Sequence, residues 1–309
     1  MIITLTVNPA IDRTIAVERL VFEDRAYITA SRESAGGRGI NAACVIQSFG
    51  GKAMAIVPAS SQSAACFKEF LIGCGFKLVV VPVRHDVRHN LIITDAQGLT
   101  LKLNEFGGTL DKTELASIEK VVREKLDQAS WLMICGSLPP GVPASFYGHL
   151  ITLARKRGVK TLLDADGDAL AAGVKAKPTV VTPNQQEAER LLNTALLTQT
   201  HFVNAAVRIQ KMGAEGVILS LGSRGAVGAF DHEMIEAIPP RVNAIAPIGA
   251  GDALAAAYTW AMERNNDFRD ALRWGVAAGT ASAQLPGMSF ANLEQTKRIY
   301  DQVEVRQLD

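Results

Sequence analysis

The sequence lacks an excess of charge of either sign. Lysine and arginine together number 32 and aspartate and glutamate 31, so the formal net charge is only +1. A surface that binds nucleic acid needs a basic excess on some element. Charge runs such as KTELASIEKVVREK are short and indicate solvated helix faces. The composition therefore gives no support for a polyanionic partner.

Long apolar runs are also absent. Glycine, proline or charge interrupts each apolar run well before about 18 residues, so no membrane span is expected. The start of the chain, MIITLTVNP, has neither the basic segment nor the apolar core of a secretory signal. The four cysteines form no CxxC pair and lie in apolar surroundings. This pattern predicts reduced thiols in a cytoplasmic protein.

Several familiar catalytic signatures are missing. The chain contains no P-loop of the form GxxxxGKS or GxxxxGKT, no protein-kinase signature set and no GxSxG elbow. His85 and His89 lie four residues apart, but no third ligand pattern such as HExxH accompanies them. Solvent-exposed or packing roles are therefore favoured over a metal site. Any phosphate chemistry must use another anion-binding device.

What is present is an alternation of short β-branched runs with helical patterns. Strands are predicted at 2–7, 53–59, 77–83, 131–136, 159–166, 179–183 and 216–221. Helices are predicted at 40–49, 63–73, 111–128, 144–157, 184–193, 201–213, 251–264, 267–284 and 291–301. Several strands are apolar on both faces, which is typical of a parallel sheet covered by helices on both sides. We therefore expect one α/β domain over residues 1–309, built as a three-layer, doubly wound, mostly parallel sheet.

Two segments depart from this rhythm. Residues from about 12–32 and 85–106 alternate apolar and polar side chains, most clearly over 88–105, where Asp95-Ala96-Gln97-Gly98 is a turn signal. We interpret them as a small antiparallel β lid inserted into the domain. A sheet with one apolar face must cover a cleft, another subunit, or both.

A glycine-rich stretch, AGGRGINAACVIQSFGG, occupies residues 35–51. Its glycines allow close approach to a ligand, and a helix follows them. The stretch matches the loose dinucleotide pattern GxGxxA, but polar SRESAGG precedes it and no acidic residue follows about 20 positions later. A dinucleotide site is therefore rejected. On this motif alone, a tight loop into a buried helix and a ligand-binding loop remain equally open.

The stretch PIGAGDALAAAYTW, residues 247–260, opens another helix. Gly249, Ala250 and Gly251 would present bare amides at its N-terminus, where the helix dipole favours an anion. Asp252 in the first turn could accept a proton from an attacking hydroxyl, or it could cap the helix. Taken alone, the motif favours the cap.

Three further motifs each have a structural and a functional interpretation. In VTPNQQEAERLL, Asn184 and Glu187 form either a capping box or a pair that holds water on Mg²⁺. ILSLGSRGAVGAF is either a plain hairpin or a wall of a nucleotide site. CGSLPPGV ends a strand where open α/β sheets bind ligands.

Taken in order, TVNPAID, GGRGIN, GSLPPG, TPNQQE, SLGSRG and GAGD run from residue 6 to 252. This series resembles the PfkB carbohydrate kinases of the ribokinase superfamily. TVNPAID and the later LKLNE are most similar to the branch that acts on phosphorylated ketohexoses. That branch comprises 1-phosphofructokinase, tagatose-6-phosphate kinase and the minor 6-phosphofructokinases.

The resemblance implies an ATP-dependent, Mg²⁺-requiring kinase with a ribokinase-like fold and a lid often shared across a homodimer. Asp252 would be the base, and Gly249, Ala250 and Gly251 the anion hole. The sugar hydroxyls would be held by Asp12, Gly37, Gly39 and Asn41, and Ser137 would line the same cleft. The substrate phosphate would bind Arg88 and Lys102, with Arg25 a weaker candidate. ATP would face Asn184, Ser220, Gly222 and Gly225, and Asn184 and Glu187 would organise Mg²⁺ through water.

Thr182 and Arg38 are among the positions that depart from the family pattern. Thr182 stands where the family often has lysine, and Arg38 stands where the glycine-rich loop commonly has lysine. Thr182 leaves open a catalytically weak sugar- or nucleotide-binding regulator. A kinase of an unphosphorylated sugar or nucleoside is the other alternative. Among phosphosugars, fructose 6-phosphate, fructose 1-phosphate and tagatose 6-phosphate all remain open.

Overall fold

The structure is a computed structural model that describes residues 1–21, 23–265 and 267–308. Phe22, which belongs to the predicted lid, lies outside the described residues. The strands are β1 (Ile2–Thr6), β2 (Ala10–Val17), β3 (Ile28–Gly36), β4 (Ala53–Ala59), β5 (Lys77–Pro82), β6 (Arg88–Asp95), β7 (Thr100–Asn104), β8 (Trp131–Cys135), β9 (Lys160–Asp164), β10 (Val180–Val181), β11 (Gly216–Ser220), β12 (Ala226–Phe230), β13 (Glu233–Ile238) and β14 (Glu304–Gln307).

The helices are α1 (Arg38–Ser48), α2 (Ser61–Phe70), α3 (Lys112–Lys125), α4 (Phe146–Arg155), α5 (Gly167–Lys175), α6 (Gln185–Leu192), α7 (Gln199–Met212), α8 (Ala250–Glu263), α9 (Phe268–Ala283) and α10 (Leu293–Tyr300). Helix α3 begins at a capping box in which the Asp111 side chain accepts from the backbone of Glu114 and the Glu114 side chain accepts from the backbone of Asp111. This capping box fixes the start of the helix predicted at 111–128. In the part of the chain that the structure describes, no helix is long and apolar enough to cross a bilayer.

The main sheet has the order β14-β13-β12-β11-β10-β9-β8-β1-β4-β5. Neighbouring strands run parallel from β5 to β11, and β12, β13 and β14 add an antiparallel edge. Thr6 pairs with Cys135, and Cys135 pairs with Asp164. The carboxyl ends of β1, β8 and β9 therefore meet at one edge of the sheet, where open α/β sheets bind ligands.

Helices cover both faces of this sheet, as predicted. Strand β8 shows why: Trp131 and Met133 belong to one buried cluster, and Leu132 and Ile134 belong to another. The first cluster packs against α1, α8 and α9, and the second packs against helices that include α4 and α7. A strand that is apolar at every position needs such a layer on each side.

The β lid is a second sheet with the order β3-β2-β6-β7. The pairs β2–β3 and β6–β7 are antiparallel, as expected, whereas the central pair β2–β6 is parallel, from Ala10 opposite Arg88 to Val17 opposite Asp95. The two central strands are separated by α1, β4, α2 and β5, so no tight turn imposes antiparallel pairing. Strand β3 also extends beyond residue 32 to Gly36 and leads directly into α1.

Three elements escaped the sequence analysis: α5, β13 and β14. Helix α5 has the sequence GDALAAGVK, and its two glycines lower its helix propensity. Gly173 packs closely on β9, since a Cβ there would lie 2.5 Å from Leu163 Cδ2. Strand β14, EVRQ, is a short polar edge strand that pairs only with β13.

Candidate active site

A cavity of about 440 Å³ lies between the carboxyl edge of the main sheet and the β lid. It brings together most of the predicted site residues, which are Asp12, Gly37, Asn41, Arg88, Lys102, Ser137, Asn184, Glu187, Ser220, Gly249, Gly251 and Asp252. Ala250, Gly39, Gly222, Gly225 and Arg25 do not line it. The rest of this site follows from the local structure around each group.

The N-terminus of α8 forms one end of the cavity. Gly249 is the N-cap in the left-handed conformation, with φ +80°, and a Cβ there would lie 2.8 Å from the ring of Phe290. Ala250 N donates to Pro247 O at 3.3 Å. Within the described ranges, the amides of Gly249, Gly251 and Asp252 have no acceptor. The amides that remain for an anion are therefore these three, whereas the sequence pointed to Ala250 in place of Asp252.

The Asp252 side chain does not cap α8, so that interpretation is wrong. Its Oδ2 instead accepts a hydrogen bond of 2.7 Å from Asn41 Nδ2. Burial, followed by the charge of Asp164, raises the pKa of Asp252 to about 7 against the opposing effects of Arg38 and the Asn41 hydrogen bond. A carboxylate with a pKa near 7 is suited to accept a proton at neutral pH.

Arg38 lies beside this carboxylate and joins two others. Its Nη1 contacts Asp164 Oδ1 at 2.7 Å and its Nη2 contacts Glu187 Oε1 at 3.1 Å. Neither Arg38 nor Asp164 was among the predicted site residues. Their contact spans 126 positions and joins the first residue of α1 to the last residue of β9, which no local pattern encodes.

Asn184 and Glu187 form the capping box of α6. Asn184 Oδ1 accepts from Glu187 N at 2.9 Å, and Glu187 Oε2 accepts from Asn184 N at 2.8 Å. Burial raises the pKa of Glu187, and the charge of Arg38 opposes that rise. The capping interpretation is confirmed, and it leaves both Glu187 oxygens already engaged, one by Arg38 and one by the backbone.

Because both Glu187 oxygens already have partners, the way in which Mg²⁺ could bind in the cavity is restricted. No group of three or more His, Cys, Asp or Glu side chains in the described segments is arranged to hold a metal directly. The cavity nevertheless offers oxygen donors, namely Asp164, Glu187 and Asn184. Mg²⁺ keeps several waters and takes one or two carboxylates plus substrate phosphates in such sites. The residues therefore fit a metal held largely through water.

The lid supplies the opposite wall. Asp12 Oδ1 accepts from Asn90 Nδ2 at 2.7 Å, and burial raises the pKa of Asp12. Arg88 Nη1 donates to Glu105 O at 2.9 Å, while its buried Nε has no acceptor among the described residues. Desolvation lowers the pKa of Arg88. Lys102 is exposed at the same wall. Two cations therefore face the cavity from the lid, and a bound anion is suited to complete their contacts.

The predicted site glycines outside the cavity have structural reasons. A Cβ at Gly39 would lie 2.5 Å from Thr6 Oγ1, and a Cβ at Gly225 would lie 2.0 Å from Ala237 O. Gly225 also has φ +91° and Gly222 has φ +62°. Arg25 is exposed and its backbone N donates to Asp24 Oδ1. Contacts of these residues with a ligand stay predictions.

Other polar residues of the cavity were not predicted from the sequence. They are Thr6, Asn8, Asn90, Asn104, Asp164 and Asp166. A usable signal existed for the last two, because LLDADGD places both carboxylates at the end of the predicted strand 159–166. Asn8 has a visible role, since its Nδ2 donates to Phe106 O at 3.0 Å and to Ser137 Oγ at 3.2 Å.

Comparison with known proteins gives one family. The model of the pfkB family carbohydrate kinases matches residues 4–295. The chain is 32% identical over 302 residues to the ATP-dependent 6-phosphofructokinase isozyme 2 of Escherichia coli, covering 97% of both chains. It is 24% identical over 307 residues to the 1-phosphofructokinase of Vibrio cholerae, covering 99% of this chain and 97% of that protein.

Among solved structures, the chain is similar to phosphofructokinase-2 from Escherichia coli in complex with fructose-6-phosphate. The TM-score is 0.89 at 32% identity, covering 97% of this chain and 98% of that one. The match extends over the main sheet and the lid alike, since it leaves so little of either chain uncovered.

Proposed function

The chain belongs to the PfkB family of carbohydrate kinases, and from that premise we propose that it transfers the γ-phosphoryl group of ATP to a ketohexose monophosphate. Family membership gives the class of reaction, an ATP-dependent carbohydrate kinase of the phosphofructokinase type. The finer proposal concerns the acceptor and the residues that carry the chemistry.

One observation supports it above the others. A carboxylate whose pKa is about 7 lies in the first turn of a helix at whose N-terminus three amides have no acceptor among the described residues. It lines a cavity that has two lid cations on its other side. A base, an anion site and a second anion site are thus present together. Those are the parts needed to join a sugar phosphate and a nucleotide polyphosphate.

The proposed mechanism is in-line transfer. Asp252 accepts the proton of the acceptor hydroxyl as that oxygen bonds to the γ-phosphorus and the bond to the β–γ bridging oxygen breaks, which releases ADP. The amides of Gly249, Gly251 and Asp252 donate to the transferred group, whose oxygens carry charge in the transition state. The Asn41 side chain orients Asp252 through its 2.7 Å hydrogen bond.

Mg²⁺ would be held through water by Asn184 and Glu187, with Asp164 beside them, and it would neutralise charge on the ATP phosphates. On the lid side, Arg88 and Lys102 bind the phosphate that the substrate already carries. A guanidinium and an ammonium together match a phosphate dianion. Asp12 and Asn41 line the same cavity and would contact the sugar hydroxyls.

The test is a coupled ADP-release assay with Mg·ATP over fructose 6-phosphate, fructose 1-phosphate, tagatose 6-phosphate, free hexoses and nucleosides. We expect turnover with at least one ketohexose phosphate and a kcat/KM at least about 10-fold lower for every unphosphorylated sugar, since a lost charged contact costs about 1.5–3 kcal/mol. A higher kcat/KM for a free sugar or nucleoside would contradict the phosphosugar proposal. No ADP release with any acceptor would favour a binding protein instead.

A further inference from the structure

The charges that line the cavity are unevenly distributed. Its cations in the described segments are Arg38, Arg88 and Lys102. The last two lie on lid strands β6 and β7, so Arg38 is the only one of the three that the main-sheet side supplies. That same side contributes the carboxylates Asp164, Glu187 and Asp252. A nucleotide polyphosphate bound there meets this acidic wall and depends on Arg38 for positive charge.

Thr182, which stands where the family often has lysine, adds no cation to this wall. Thr182 lines the same cavity, and its Oγ1 is buried without a partner in the described part of the chain. A hydroxyl can donate to a phosphate but adds no charge. The electrostatic attraction on this side of the cavity therefore rests on one guanidinium and on the bare amides of α8.

The Arg38 guanidinium has N–H donors that the two ion pairs do not use. A guanidinium carries five N–H groups in a fixed fork, and the two contacts to Asp164 and Glu187 engage one N–H of Nη1 and one of Nη2. The side chain keeps 33% of its surface accessible, and Arg38 lines the cavity. The two ion pairs also fix the orientation of the fork, because Asp164 and Glu187 are themselves buried.

We propose that Arg38 binds the terminal phosphates of ATP with its remaining N–H groups while Asp164 and Glu187 hold its guanidinium in place. The proposal rests on the proposed function of the cavity as a nucleotide site. It makes Arg38 a residue that contacts the nucleotide, and it makes the two carboxylates its positioning partners. The sequence offers no local sign of this, since both ion pairs span more than 120 positions.

The experiment measures nucleotide affinity without any sugar, by isothermal titration calorimetry with Mg·ATP, Mg·ADP and AMP. The variants are Arg38→Met, which removes the charge, and Arg38→Lys, which keeps it. Arg84→Met is the matched control, because Arg84 also contacts two carboxylates, Asp111 and Glu114, but does not line the cavity. Melting temperatures of all variants are recorded alongside.

We expect Arg38→Met to weaken ATP binding at least about 10-fold, as loss of a charged hydrogen bond does. AMP binding should change less than about 3-fold, because AMP lacks the phosphates in question. Arg38→Lys should lie between wild type and Arg38→Met, and Arg84→Met should bind all three ligands as wild type does. If Arg38→Met is too unstable to measure, the ATP-to-AMP comparison in Arg38→Lys decides.

Equal weakening of ATP and AMP would overturn the proposal, because it is the result expected when Arg38 only supports the shape of the site. Unchanged ATP affinity in Arg38→Met would overturn it as well. If either result is found for Arg38→Met but the wild type binds ATP and phosphorylates a sugar phosphate, the role of Arg38 is contradicted and the proposed function is not. A wild type that binds no nucleotide contradicts the proposed function and this role together.

Discussion

At the scale of single residues, Asp252 is the group on which the proposed chemistry depends most. Replacing it with Asn keeps the size of the side chain and its contact with Asn41 but removes the base. We expect kcat to fall at least about 100-fold, the lower end of what general base catalysis contributes. Dissociation constants for ATP and the sugar phosphate should stay within about 3-fold of wild type, since the variant keeps the shape of the site.

The measurement is steady-state kinetics together with calorimetric binding. Asp127→Asn is the control, because Asp127 is exposed and does not line the cavity. Turnover at the wild-type rate in the Asp252→Asn variant would remove Asp252 from the mechanism.

The pH dependence of the wild type follows from the same residue. Because its pKa is raised to about 7, the fraction of Asp252 that is ionised falls as the pH drops below that value. We expect log kcat/KM to lose one unit per pH unit on the acid side, with an apparent pKa near 7. An acid limb that bends near pH 4 instead would mean that the base is an ordinary exposed carboxylate.

Stability should respond to pH through Asp252 as well. A raised folded-state pKa means that protonated Asp252 is favoured by folding, so this stabilisation is complete below pH 3.8 and is lost as the pH rises to about 7. Asp252→Asn, which is neutral at every pH, should therefore raise the melting temperature more at pH 8 than at pH 5.5, by at least about 2 °C. Equal shifts at the two pH values, measured by calorimetry without ligand, would contradict the assigned burial of this charge.

Local sequence motifs located those site residues whose position is set by the helix to which they belong. Gly249, Gly251, Asp252 and Asn184 all stand at helix N-termini, and a helix start is readable from a few neighbouring residues. Asp164 had a readable signal in LLDADGD, but Arg38 was missed because its contact with Asp164 joins positions 126 residues apart. Side-chain pairing of this kind depends on tertiary structure, which spacing does not report.

At the scale of elements, the lid strands β6 and β7 carry the two cations proposed to bind the substrate phosphate. Arg88→Ala and Lys102→Ala should each raise KM for the sugar phosphate at least about 10-fold while KM for ATP changes little. Arg13→Ala is a control on the same sheet, because Arg13 bonds to Ser31 and does not line the cavity. Unchanged KM for the sugar phosphate in both cavity variants would exclude the lid as a phosphate site.

The two glycines of the turn between β11 and β12, Gly222 and Gly225, differ in how closely the surrounding chain packs on them. Gly225 has φ +91° and a Cβ there would lie 2.0 Å from Ala237 O, whereas Gly222 has open space around it. We expect Gly222→Ala to lower the free energy of unfolding by about 1 kcal/mol, because only its positive φ is unfavourable for alanine. Gly225→Ala should lower it by more, about 3 kcal/mol, because the new Cβ would also clash with the backbone. Urea denaturation of both variants measures this, and equal losses would contradict the assigned packing of Gly225.

At the scale of the whole molecule, periodicity predicted the layers of the main sheet but not the pairing within the lid. Strands such as β8 that are apolar at every position require helices on both faces, whatever their neighbours. The lid strands alternate, which fixes the face that each residue joins but not the direction of its partner. The parallel β2–β6 pair is therefore visible only once the chain between them is folded.

The lid also leaves an apolar surface on the molecule. Lys102 and Asn104 line the cavity, so Leu101 and Leu103 of the same strand point to the opposite face, across from Ile93 and Leu91. The large hydrophobic side chains exposed in the described segments are concentrated on or next to the lid: Val21, Tyr27, Ile28, Leu99, Leu103 and Phe106. A patch of this kind marks an interaction site, and a second copy of the chain covers it without any further partner.

We therefore predict a homodimer formed through the lid, with twice the chain mass of 33.0 kDa in light scattering after size exclusion. Leu103→Glu should shift the protein to monomer at micromolar concentration, because a carboxylate would be buried without a partner in a symmetric lid contact. Ile72→Glu is the matched control, since Ile72 is 79% exposed outside the lid. A wild-type protein that is monomeric would contradict the predicted homodimer. A dimer that survives Leu103→Glu unchanged would show that it does not form through the apolar face of the lid.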